Sequence, residues 1–165
     1  MVSRKKIFRR RRQGKTDYRK RLKLIKSGIP RASVRITNTK VMIQIIDFSM
    51  KGDLILASAT SKQLDGFGWG ESSKSIPASY LAGYLAGKRS VKNGVKKAVF
   101  DVGRASTTAG GRIFASLKGL VDGGMEIPHS ESVYPIEERI KGAHISKKID
   151  GKVDKTMKEI DGGLD

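Results

Sequence analysis

RASVRITNTKVMIQIIDFSMKGDLILASATS, Arg31 to Ser61, is the stretch on which the fold turns. From Ala32 to Thr37 the residues alternate. Val34 and Ile36 face one way, and Arg31, Ser33, Arg35 and Thr37 face the other. Alternation at period two is a strand, here with one buried face and one cationic, hydroxyl-rich face. Asn38-Thr39-Lys40 reads as a short turn. Val41 to Phe48 (VMIQIIDF) is apolar on both faces and β-branched, which marks an inner strand. Met50 to Asp53 turns the chain again, and Leu54 to Ser61 supplies a third strand. The stretch is a three-strand meander.

Downstream, residues 62–74 form a glycine-rich loop carrying Phe67 and Trp69; both can meet a base or a partner, and Trp69 is expected to fold back onto the body. Ser75 and Pro77 open a helix over residues 76–92. Ala78, Ala82, Gly83, Ala86 and Gly87 are small enough to let that helix approach the sheet closely, and Asn93-Gly94 ends it. Lys97 to Val102 (KAVFDV) suits a parallel strand reached by the crossover helix. After the Gly103–Gly111 loop, Ile113, Phe114, Leu117, Leu120 and Val121 fall on one helical face. Met125 to Ile127 is a candidate last short strand.

The order β-β-β-α-β-α gives an α/β fold with a mixed sheet, a basic N-terminal arm and a polar C-terminal extension. The expected division is an arm over 1–29, a body over 30–130, and an extension with an acidic tail over 131–165. Within the arm, Thr16 is the expected cap of a short helix running to Lys26. Ile136 to Ile149 shows little core of its own, and the tail beyond Asp150 reads as mobile.

Charge narrows the function. Lys and Arg number 34 against 16 acids, for a net charge of +18. A compact chain so charged repels itself unless it meets an anionic partner, and nucleic acid fits best. The excess is uneven: residues 1–26 carry 13 Lys and Arg and the single acid Asp17. A membrane surface fits poorly, because the chain shows neither a lipidation signal nor a long apolar run. Cysteine is absent, which removes disulfides and thiolate metal sites.

Several motifs fail on inspection. Gly14-Lys15-Thr16 looks like the end of a phosphate-binding loop, but the glycine required five residues earlier is Arg9. A strand before it and a helix behind it are also missing. Asp47, Asp53, Asp65 and Asp101 stand at or near strand ends without a spacing that makes them converge, as a two-metal nuclease would require. No catalytic residue, metal site or cofactor is expected. The loop Gly103–Gly111 is a different matter. It joins a strand end to a helix start, where free N–H groups favour an anion, and Arg104 and Arg112 add charge. The same loop also reads as a plain helix cap.

Four stretches match a known family. They are RRRRQGKTDYRKRLKLIKS in the arm, RASVRITNTK at the first strand and turn, ASATSK at Ala57–Lys62, and VFDVGRASTTAGGRIFASLKGLVDGGMEIPHS at Val99–Ser130. Together they resemble the universal large-subunit ribosomal proteins that bind 5S ribosomal RNA, the eighteenth in the large-subunit naming, in the archaeal form. The resemblance covers about Arg9 to Ile145. It implies a non-catalytic role in the cytoplasm, within the ribosome: binding 5S rRNA and helping to attach it to 23S rRNA in the central protuberance. It also implies neighbouring large-subunit proteins, among them the second 5S-binding protein.

The residues expected at RNA follow from both readings. In the arm they are Arg4, Lys5, Arg9, Arg10, Arg11, Arg12, Lys15, Arg19 and Arg21, with Tyr18 placed to stack on a base or ribose. On the first strand and its turn they are Arg31, Arg35, Thr37, Asn38 and Lys40. Lys62, Arg104 and Arg112 complete the set. An arm this polar is expected to be disordered until it meets RNA. A DNA-coating protein and a metal nuclease on a ribonuclease H-like sheet are the readings from other classes.

Overall fold

The computed structural model describes residues 7–163. The meander forms as its alternation dictates. Strands β1 (Arg31–Ile36), β2 (Val41–Asp47) and β3 (Leu54–Thr60) pair antiparallel, with a register shift at Ile45/Ile46. A fourth strand, β4 (Val99–Asp101), pairs parallel to β1, setting Ser33 opposite Asp101. The sheet order is β3-β2-β1-β4, so β1 is interior as well as β2. Ala32, Val34, Val41, Ile43, Ile45, Ala57 and Ala59 line the core face.

Helix α3 (Ile76–Lys92) packs on that face over β2 and β3. Ser75 caps it by accepting from the Ala78 N–H, as the Ser-x-Pro signal predicts. Every residue from Ile76 to Gly87 is buried, so α3 is a central helix, apolar on all sides. The two glycines among its small residues serve a different contact from the expected one. Gly83 and Gly87 face α4 (Arg112–Asp122) rather than the sheet, with the Gly87 backbone set against Leu120 and Gly123. Met125–Ile127 makes one parallel bridge, Lys97 to Glu126, instead of a strand.

The outer edge of β3 is blunted from α3. Asn93 donates to the Leu56 carbonyl at 2.7 Å, and Arg89 donates to the Ser58 carbonyl at 2.7 Å. Two outward acceptors of the edge strand are thereby closed to a further strand.

The C-terminal reading is corrected. After α5 (Glu137–Lys141), residues Lys147–Gly162 form α6. Ile149, Val153, Thr156 and Ile160 are buried along one side of it, and α6 packs on α3 and α5. The acids of the tail are partly engaged as well: Asp161 accepts from the Tyr84 hydroxyl at 2.9 Å and pairs with Lys88 at 2.9 Å. Trp69, wholly buried, folds into the body as expected.

Candidate nucleic-acid interface

The arm carries more local structure than its composition suggests. Arg9–Arg12 make one helical turn, α1, and Tyr18–Ile25 form α2. Asp17, not Thr16, caps α2 by accepting from the N–H groups of Arg19 and Lys20 at 3.0 and 3.1 Å. Those backbone bonds, the Lys20 one foremost, hold the Asp17 carboxyl below its usual value despite some desolvation. Thr16 instead accepts from Arg10 Nε at 3.0 Å. The rings of Phe8 and Tyr18 sit 6.3 Å apart. Gly14, at φ +63°, makes the turn between the two helices and lies against the Arg104 guanidinium.

Polar contacts also dock the arm on the body. Arg21 meets Asp53 at 2.7 Å, and Lys20 Nζ reaches the Gly103 carbonyl at 3.4 Å. The arm thus lies over the polar face of the sheet, where Arg31, Ser33, Arg35 and Asp101 project. Between them opens a cleft of about 240 Å³, lined by Arg10, Lys15, Lys20, Arg21, Arg31, Arg35 and Arg104, with Asp17 and Asp101 as its acids. A second, wider cleft of about 470 Å³ on the outer side of the arm is bordered by Arg11, Tyr18, Arg19 and Arg104. Cations from three separate segments converge here, as a backbone-tracking surface for a polyanion requires.

The strand face departs from expectation. Arg31 is 5% exposed and is held by Asp53 at 2.8 Å and Asp101 at 3.1 Å. It is a buried ion pair rather than a donor offered to a ligand. Arg35 is half-exposed and also turns inward, donating to Asp101 Oδ2 at 3.1 Å and to the Asp101 carbonyl at 2.9 Å. Burial alone would raise the Asp101 carboxyl. The Gly103 N–H and the two guanidinium groups outweigh it and leave the carboxyl below its usual value. The sequence pattern gave the correct face but not the acids that occupy it, because strand alternation says nothing about what β4 brings alongside.

Register places the remaining expected residues at one end of the sheet. The β1–β2 turn, the end of β3 and the end of β4 all lie there. Thr37 and Asn38 are exposed in the turn and Lys40 is partly so; the Thr37 hydroxyl is spent on closing it, bonding Lys40 N–H at 3.0 Å. Lys62 follows β3 and is exposed. Arg112 begins α4, is exposed, and reaches the Lys74 carbonyl at 3.4 Å. Arg9 and Arg12 are exposed on α1. Arg4 and Lys5 lie outside the described residues. Lys20 belongs to the cleft although the sequence did not single it out; the phase that turns it inward is set by the Asp17 cap.

The chain matches, over residues 3–97 and 89–130, the family described as "Ribosomal large subunit proteins 60S L5, and 50S L18". It belongs to that family. It is 50% identical over 139 residues to the "Large ribosomal subunit protein uL18" of Korarchaeum cryptofilum, covering 84% of this chain and 71% of that one. The protein of the same name in Methanoculleus marisnigri is 46% identical over 140 residues, covering 85% and 80%. That of Caldivirga maquilingensis is 48% identical over 141 residues, covering 85% and 68%. The archaeal family resemblance seen in the sequence is thereby shown, and the chain is a structural constituent of the large ribosomal subunit. Its place is the ribosome, in the cytoplasm.

Proposed function

We propose that the chain binds 5S rRNA and helps attach it to 23S rRNA in the central protuberance, beside neighbouring large-subunit proteins that include the second 5S-binding protein. The observation that carries this reading is the convergence of arm, β1 and the Gly103–Arg104 loop on one cationic cleft. In this reading the outer arm cations (Arg9, Arg10, Arg11, Arg12, Lys15, Arg19), with Arg4 and Lys5 ahead of them, neutralise phosphates. Arg35, Arg104, Arg112, Lys40 and Lys62 extend that track along the end of the sheet. Tyr18 stacks on a base or ribose, and Thr37 and Asn38 add polar contacts from the turn. Arg21 ties the arm down, and Arg31 supports the face from beneath. Residues 1–29 act as the RNA-reaching arm, 30–130 as the body, and 131–165 as an extension that braces it. In this reading the role is non-catalytic, and the pairing of Asp53 and Asp101 with Arg31 supports it.

The test is binding to 5S rRNA, a tRNA and duplex DNA across a salt series, for the full chain and for one lacking residues 1–20. Preference for 5S rRNA persisting at high salt, with truncation flattening the salt slope, supports selection by the body and phosphate contact by the arm. With ~6–10 phosphates neutralised, full-length affinity falls about 10³–10⁵-fold between 50 and 200 mM salt. Equal binding of all three nucleic acids at every salt overturns the reading in favour of a general nucleic-acid coat.

A further inference from the structure

An acid inside a phosphate-binding cleft should repel the ligand, yet Asp101 sits there with 5% of its surface exposed. All its oxygens are engaged. Oδ2 accepts from Arg31 Nη1 and Arg35 Nη2, both at 3.1 Å, and Oδ1 accepts from the Gly103 N–H at 2.8 Å. Its own carbonyl accepts from Arg35 Nη1 at 2.9 Å. The two Nη atoms of Arg35 are therefore both held by one residue, which fixes the plane of the guanidinium. Gly103 lies against that plane: at φ +60°, a Cβ there would stand 3.0 Å from Arg35 Cζ. The Gly103 carbonyl in turn receives Lys20 of the arm, and the next residue, Arg104, lies beside Gly14. One carboxylate links strand, loop and arm.

We infer that Asp101 is a positioning residue for RNA binding: its carboxylate, itself not touching RNA, sets Arg35 and the Gly103–Arg104 loop so that their cations meet one backbone phosphate. The inference rests on the reading that this cleft binds RNA. It reverses the expectation from charge alone. Removing an acid that merely happens to lie in the cleft would strengthen RNA binding by relieving repulsion. Removing a positioning acid weakens it, although the net charge becomes more positive. Fixed donors gain over mobile ones because less rotamer freedom is lost when the ligand arrives.

The experiment compares the full wild-type chain with Asp101→Asn for 5S rRNA binding across a salt series. Asp47→Asn, the same charge change at the opposite end of β2, is the control. The expected result is at least tenfold weaker binding for Asp101→Asn and a salt slope lower by about 0.7–0.9, one phosphate's worth. Asp47→Asn leaves both unchanged. The loss caused by Arg104→Gln also shrinks in the Asp101→Asn background, which a general loss of stability does not produce. Unchanged or tighter binding by folded Asp101→Asn overturns the inference and leaves the RNA reading standing. Should Asp101→Asn fail to fold, Gly103→Ala disturbs the same loop while keeping the carboxylate. It is expected to weaken binding comparably, and undiminished affinity there overturns the inference too. Wild-type chain that binds 5S rRNA no better than duplex DNA at any salt removes the RNA reading itself, and this inference with it.

Discussion

Arg31 Nη1 lies 3.1 Å from Asp101 Oδ2, with only 6% and 7% of the two side chains exposed. A residue that strand alternation assigns to a ligand-facing surface is thus the interior half of an ion pair. Truncating one partner of such a pair strands the other charge, at a typical cost of about 3–5 kcal/mol. Arg31→Met is therefore expected to lower stability toward the smaller end of that range, because Arg35 and the Gly103 N–H still serve Asp101. Urea unfolding measures it. The salt slope of RNA binding should stay unchanged, and a slope reduced by one phosphate would make Arg31 a ligand contact after all.

Acid should unfold the protein through its paired carboxylates. Burial pushes the Asp101 carboxyl up, but the Gly103 N–H, Arg35 and Arg31 outweigh it and hold it below the reference 3.8. Asp161 behaves alike, with Lys88 and Tyr84 overriding desolvation. A carboxyl depressed in the folded state stabilises fully above its unfolded value, and that stabilisation is lost as pH falls through the folded one. The thermal midpoint should accordingly be level from pH 7 to about 5 and then drop below about 4, where these groups take up protons. Asp161→Asn should make the drop shallower. A midpoint that rises on acidification contradicts the assignment.

How much of this was legible depends on the range of the interaction that decides each element. The meander, the capped helix at Ser75 and the parallel β4 follow from local period and turn chemistry, and the sequence shows them. The inward turn of Arg31 and Arg35 depends on Asp101, some 70 residues away along the chain, and no local pattern reports it. Helix α6 was missed for a subtler reason. Ile149, Val153 and Ile160 keep helical spacing, but the lysines, acids and one glycine between them lower the average hydrophobicity to that of a disordered tail. The arm's cap went to Thr16 because hydroxyls and carboxylates are almost equally good there, and only the geometry separates Thr16 from Asp17.

The contact between α3 and α4 leaves no room for a side chain at its crossing points. A Cβ on Gly83 would run into the Ser116 carbonyl, and one on Gly119 into the Tyr80 carbonyl. Backbone cannot give way as a flexible side chain does. Gly119→Ala should therefore cost at least the ~1–3 kcal/mol typical of overpacking. Gly66→Ala, with nothing within 4 Å of the added carbon, should cost much less. Chemical denaturation of the two variants compares them directly, and equal stabilities would mean the helices sit further apart.

The C-terminal helix yields a test of equal plainness. Ile160 is wholly buried although it lies five residues from the last position of the sequence. Ile160→Ala should cost about 2–5 kcal/mol, as large-to-small core changes do. Truncation after Ser146 should cost more, since Ile149 and Val153 leave the core with it. A mobile tail would show no loss in either case.

Charge alone should not predict which arginines matter for RNA. Arg104 is exposed at the meeting point of arm and loop, whereas Arg89 is committed to the Ser58 carbonyl and to Gln63 Oε1 at 3.0 Å on the β3 edge. Arg104→Gln and Arg89→Gln each remove one positive charge. Only the first should lower the slope of log affinity against log salt, by about 0.7–0.9. The second should instead reduce stability by roughly 0.5–1.5 kcal/mol per hydrogen bond lost, by uncapping the edge strand. Because the salt slope counts phosphates neutralised, equal slopes for the two variants would show that the protein attracts RNA as a diffuse cation, with the geometry of the cleft irrelevant.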